Sequence, residues 1–117
     1  MKEKLLALAV VRKEVVEIGD QKVMVREIGT VEFAHYGKLA NGEKDDSGAV
    51  TVPPDRNKAT AYLISVCVVD ENDQPVLTEE EALPLAKIAR TATPIANKVM
   101  ELSGYAKEDT QKHVDAG

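Results

Sequence analysis

The stretch AVVRKEVVEIGDQKVMVREI, residues 9–28, constrains the fold more than any other. It holds two β-branched runs around Gly19-Asp20-Gln21, a short glycine-containing connector of the kind that closes a hairpin. The pattern predicts an antiparallel pair, Val10–Ile18 with Lys22–Ile28. Its alternation is imperfect, because Val10-Val11 and Val15-Val16 place apolar side chains on both faces. One face is then expected to pack on helices and the other to meet a partner.

Most of the remaining chain reads as helix. Lys4–Ala9 suits one or two helical turns ahead of the hairpin. After Gly29, Thr30 can cap a short helix, Val31–Leu39. Residues 41–57 carry Gly, Asp, Ser and the pair Pro53-Pro54 with few apolar residues, and are expected to form a long loop. The run KATAYLISVCVV, Lys58–Val69, is open between helix and strand: its length and alanines favour helix, its valines strand.

The segment DENDQPVLTEEE, Asp70–Glu81, sits near the spacing of a calcium-binding loop. Asp70, Asn72, Gln74 and Glu81 take the first, third, fifth and twelfth places. The sixth place must turn with positive φ, and here it is Pro75, whose ring fixes φ near −65°. The plainer reading is a turn, Asp70–Pro75, followed by a capping box in which the Thr78 hydroxyl and the Glu81 carboxylate each bond the other's backbone N–H. That box starts a helix over Glu79–Arg90, with Pro84 inside its first two turns. Across the short TAT connector, Thr93 is expected to cap a second helix that begins at Pro94, repeats Ile95, Val99 and Leu102, and ends with Gly104 at C′. The chain is thus expected to be a small single α+β domain, residues 1–105, with a hairpin near the N-terminus, about four helices and a mostly helical C-terminal half. Residues 106–117 are expected to be a flexible polar tail.

Composition narrows the function. Hydrophobic residues make up 44% and charged residues 30% of the 117, enough apolar content for one packed core. Aromatics are only 3%, so that core must be aliphatic and platforms for stacking bases are few. A net charge of −5 opposes attraction to polyphosphate, so nucleic acid is not an expected partner. No segment approaches the roughly 18 apolar residues that span a bilayer, so no membrane partner is expected. The single cysteine, Cys67, lies in an apolar run and reads as a buried hydrophobe in a reducing compartment. His35 and His113 have no helical i, i+4 metal-ligand partner beyond loosely placed carboxylates such as Asp109. Asp45-Asp46 reads as solvated charge. No nucleophile, base and charge stabiliser come together, and the chain is expected to be non-enzymatic, with no cofactor and no metal. An alanine-rich helical pair that lets backbones approach closely offers surface for self-association.

Three segments carry a family resemblance: V-M-V-R-E-I at Val23–Ile28, V-D-E-N-D-Q-P-V-L-T at Val69–Thr78, and L-S-G at Leu102–Gly104. Set around an aliphatic run and an Ala/Leu helix, they resemble the tail assembly chaperones of long-tailed bacteriophages and prophages. The chain departs from that pattern in the NGEKDDSGAVTVPPDRN loop and at Pro84. The resemblance implies helix over Lys58–Val69 and a non-enzymatic assembly factor in the host cytoplasm. Such a factor would coat the tape measure protein, help recruit tail tube subunits and self-associate. The residues expected to supply contacts with partners or other copies are Val23, Val25, Leu83, Ile88, Ile95, Val99 and Leu102. Two rival expectations are a structural or head-tail connector protein of the virion and a small metal-dependent enzyme using Asp70, Glu81 and the histidines.

Overall fold

The computed structural model describes residues 1–105. The expected tail 106–117, with His113 and Asp109, lies outside the described residues. The fold is α+β: helix α1 (Lys2–Ala7), strands β1 (Lys13–Ile18) and β2 (Gln21–Arg26), helix α2 (Thr30–Asn41), strands β3 (Glu43–Lys44) and β4 (Val50–Val52), then helices α3 (Arg56–Cys67), α4 (Glu79–Ala86) and α5 (Ala89–Leu102).

The N-terminal hairpin forms where β-branched residues demand it. Lys13 pairs with Arg26, Val16 with Val23 and Ile18 with Gln21, around a two-residue turn whose first member, Gly19, has φ +62°. Register sorts the two apolar faces. Val16, Val23 and Val25 point toward the helices, and Val16 and Val25 are buried, while Val15 on the opposite face stays exposed. The strands are shorter than expected, since residues 10–12 precede the ladder.

The 58–69 run resolves into both alternatives. Asp55 caps α3 by accepting from the Lys58 N–H at 3.0 Å, and the helix ends at Cys67. Val68 and Val69 then extend along β2, with the Val69 N–H donating to the Met24 carbonyl at 3.0 Å, and Val69 bridges Pro75 in turn. The helix implied by the resemblance is present, and the last two valines are extended instead.

Four local expectations are corrected. Residues 41–57 are not structureless: β3 and β4 form a second hairpin organised by Asp45, whose Oδ1 accepts the N–H groups of Ser47 (2.9 Å) and Ala49 (3.1 Å). The Ser47 hydroxyl, which also donates to this oxygen, first and then the Ala49 and Ser47 N–H groups hold the Asp45 carboxyl below its usual range. Helix α2 is capped by Gly29, not Thr30, because Glu32 reaches back to accept the Gly29 N–H at 2.9 Å while Arg26 holds the same carboxylate at 3.0 Å. Helix α4 stops at Ala86, short of Arg90, and the break falls at Lys87-Ile88 rather than at the TAT connector. The Thr91 hydroxyl donates across the break to the Leu85 carbonyl (2.7 Å) and to the Ile88 carbonyl (3.0 Å), which also accepts the Ala92 N–H at 2.9 Å, and α5 starts at Ala89 with Thr93 and Pro94 inside it.

The capping box stands as expected: Glu81 N–H donates to Thr78 Oγ1 at 3.2 Å, and Thr78 N–H to Glu81 Oε1 at 2.9 Å. The C-terminal cap does too. Gly104 at φ +87° lets its own N–H reach the Glu101 carbonyl and the Tyr105 N–H reach that of Met100, closing both bonds of a Schellman motif. Tyr105 then stacks on Phe33 with ring centroids 4.4 Å apart.

The core is aliphatic. Val25, Leu63, Ile64, Cys67, Ile95 and Val99 are fully buried where α3, α5 and the inner face of the first hairpin meet. Ser103 ties the end of α5 to the hairpin, its hydroxyl donating to the Val99 carbonyl and accepting the Ile28 N–H at 2.9 Å. Among the described residues no buried side-chain nitrogen or oxygen lacks a hydrogen-bond partner.

Candidate docking grooves

Five separate segments converge on one apolar groove of about 650 Å³: the turn end of the first hairpin (Ile18–Met24), Val68-Val69, Val76-Leu77, Leu85 at the end of α4, and Arg90, Thr91 and Ile95 on α5. The hairpin turn leaves the helices before the domain closes over it. The groove lies between that turn and the Lys87-Ile88 break. Its walls are aliphatic. Two cations, Lys22 and Arg90, stand exposed on the lining, and neither forms an ion pair among the described residues. A second groove, of about 350 Å³, lies between α3 and α4. There Ala61 and Leu83 meet Asp55, Glu79 and Glu80, with Lys58 and Lys87 also on the lining.

The residues expected to make contacts divide sharply. Val23 and Ile95 come together in the first groove, Ile95 as nearly buried floor. Leu83 lines the second. Ile88 is exposed at the α4–α5 break, and Leu102 is half-buried against the core. Val25 and Val99 have no exposure at all, and their placement on a contact surface is corrected: the apolar stripe of α5 and the inner face of β2 cover each other. Sequence reading passed over the largest exposed apolar segment. Met1, Leu5, Leu6, Leu8, Val10 and Val11 are between 51% and 89% exposed, and α1 buries no residue. The signal was there in MKEKLLALAVV, an aliphatic run with few polar residues to face solvent.

The groups that could carry chemistry are engaged elsewhere. Asp70 Oδ1 accepts the N–H groups of Asn72 (2.8 Å) and Gln74 (3.1 Å), closing the turn, and Glu81 is committed to the capping box. Asp73 takes the positive φ of this turn at +65°, and its carboxylate pairs with Lys13. Burial pushes the Cys67 thiol up to about 12, against a smaller lowering by Arg26, so the neutral thiol persists at neutral pH. His35 is exposed and meets the Tyr62 ring edge-on at 4.5 Å. Among the described residues no group of three His, Cys, Asp or Glu side chains is placed to hold a metal ion, and no helix is long and apolar enough to cross a membrane. Comparison with family models, curated proteins and solved structures returns no match.

Proposed function

We propose that this chain is a tail assembly chaperone of a long-tailed phage or prophage, a non-enzymatic factor of the host cytoplasm. It binds the tape measure protein, helps recruit tail tube subunits and works as an oligomer. The observation that carries the reading is the open aliphatic groove between the hairpin turn and the α4–α5 break. A chaperone for a long helical client needs apolar surface held open in a folded domain, and a charge that keeps the complex in solution. The groove supplies the first, and the net charge of −5 the second.

The three resembling segments support the same reading. Val23–Ile28 runs through β2, Val69–Thr78 forms the bridge, turn and cap, and Leu102–Gly104 closes α5. Two of the three also border the groove, through Val23, Val69, Val76 and Leu77. The lining favours a client segment with aliphatic side chains on one face and carboxylates placed to meet Lys22 and Arg90. Co-expression with the tape measure protein of the same phage or prophage tests this. The client should stay soluble and co-purify with the chain. A client that remains insoluble, or a chain recovered in purified virions as a stoichiometric component, would count against it.

A further inference from the structure

We infer that copies of this chain join through their N-terminal arms, residues 1–11, each arm docking in the α3–α4 groove of a neighbouring copy. This deepens the self-association named above and rests on it. The arm presents six large aliphatic residues and buries none of its helix. Leu5 lies in α1, and its flanking residues Met1 and Leu8 stand four before and three after it, which sets the three on one side of the arm with Leu6 beside them. A free monomer gains nothing from holding such a surface in water.

Charge selects between the two grooves. The arm carries Lys2 and Lys4 against the lone acid Glu3, on a chain that is acidic overall. The larger groove carries Lys22 and Arg90 and repels it. The α3–α4 groove sets the acids Asp55, Glu79 and Glu80 against the cations Lys58 and Lys87, beside Leu83 and Ala61, and so keeps an excess of negative charge. Neither glutamate forms an ion pair among the described residues. Its volume of about 350 Å³ admits roughly two leucine side chains, taking the void left by a deleted buried leucine as about 150 Å³.

Sedimentation of the full-length chain from micromolar to millimolar concentration tests the inference. The wild-type chain should associate, and Leu5→Asp with Leu8→Asp should leave a folded monomer with an unchanged circular dichroism spectrum, because those side chains bury nothing. Glu79→Lys with Glu80→Lys should weaken association by about tenfold, and adding Lys2→Glu with Lys4→Glu should restore it. If the groove variant does not fold, Lys2→Glu with Lys4→Glu alone must still weaken association. Association that survives the arm variants, or charge reversals that fail to compensate, would overturn the arm inference and leave the chaperone reading standing. A wild-type chain that stays monomeric throughout would overturn the inference and the self-association beneath it.

Discussion

Replacing Gly42 by alanine should be the most damaging single-methyl change in the chain. Gly42 follows α2 with φ +72° and ψ −172°, a region that side chains other than hydrogen rarely enter, costing about 1–3 kcal/mol. A Cβ built there would lie 2.4 Å from the Val52 carbonyl oxygen and 2.7 Å from the Pro54 nitrogen, both of them backbone atoms. The methyl can be accommodated only if β4 moves. Freeing the β3–β4 hairpin exposes no buried side chain, because every residue of both strands is already exposed. It does give up the Asp45–Ala49 and Asp55–Leu39 backbone bonds and the short ladder, at about 1 kcal/mol each. Strain and detachment thus converge on a loss of about 3 kcal/mol. Gly19→Ala is the control: its φ is +62°, but nothing lies within 4 Å of the added carbon, so only the conformational cost of about 1 kcal/mol applies. Urea unfolding gives both losses, and hydrogen exchange at the Asp55 amide, which donates to the Leu39 carbonyl of α2, reports detachment of the hairpin. Equal losses for the two variants, or an Asp55 amide that stays protected in Gly42→Ala, would refute the packing argument.

Further outcomes follow from other sites. Thr78→Ala removes one half of the capping box and should cost about 1 kcal/mol in urea unfolding, with Thr78→Ser largely retaining stability. Val25→Ala and Val99→Ala should each cost about 2–3 kcal/mol, whereas Ile88→Ala should change stability by less than about 0.5 kcal/mol, which separates core from surface among the residues first assigned to contacts. Burial raises the Glu32 pKa, but the Arg26 hydrogen bonds, the Gly29 N–H and the Arg26 charge outweigh it and hold the carboxyl below 4.5. A depressed folded pKa stabilises the protein above the unfolded value, so unfolding measured from pH 6 to 3 should show stability lost as pH falls below about 4.5, less steeply in Glu32→Gln. The Cys67 thiol titrates in the opposite sense. Raised from 9.0 to about 12, it favours the folded state until the unfolded thiol ionises, so stability should decline above pH 9, and a thiol reagent should label Cys67 only as the chain unfolds.

What could be read from sequence was local in origin. The Thr78–Glu81 box and the Gly104 cap involve residues within a few positions of one another, and both form as expected. The hairpin was legible because β-branched runs flank a glycine turn. The start of α5 was not, because the helix begins at the Lys87-Ile88 break, where the Thr91 hydroxyl bonds back to the Leu85 carbonyl, and Pro94 sits inside it. The second hairpin was hidden by its exposure: strands of two and three residues with no buried face leave no alternating pattern. Periodicity marked Ile95 and Val99 as one stripe but not what covers it, and the answer, the inner face of the first hairpin, is some seventy residues away in the chain. The larger groove combines five segments, so it had no signature that a single window could hold.

The most direct measurement is a binding titration between the folded chain and helical peptides from the tape measure protein, rich in leucine or valine and bearing aspartate or glutamate. The wild-type chain should bind, and Lys22→Glu with Arg90→Glu, both exposed and outside every ion pair described, should weaken binding about tenfold without lowering the melting temperature. Equal affinity in wild type and variant, or no binding to either, would contradict the assignment of the hairpin–α5 groove as the client site.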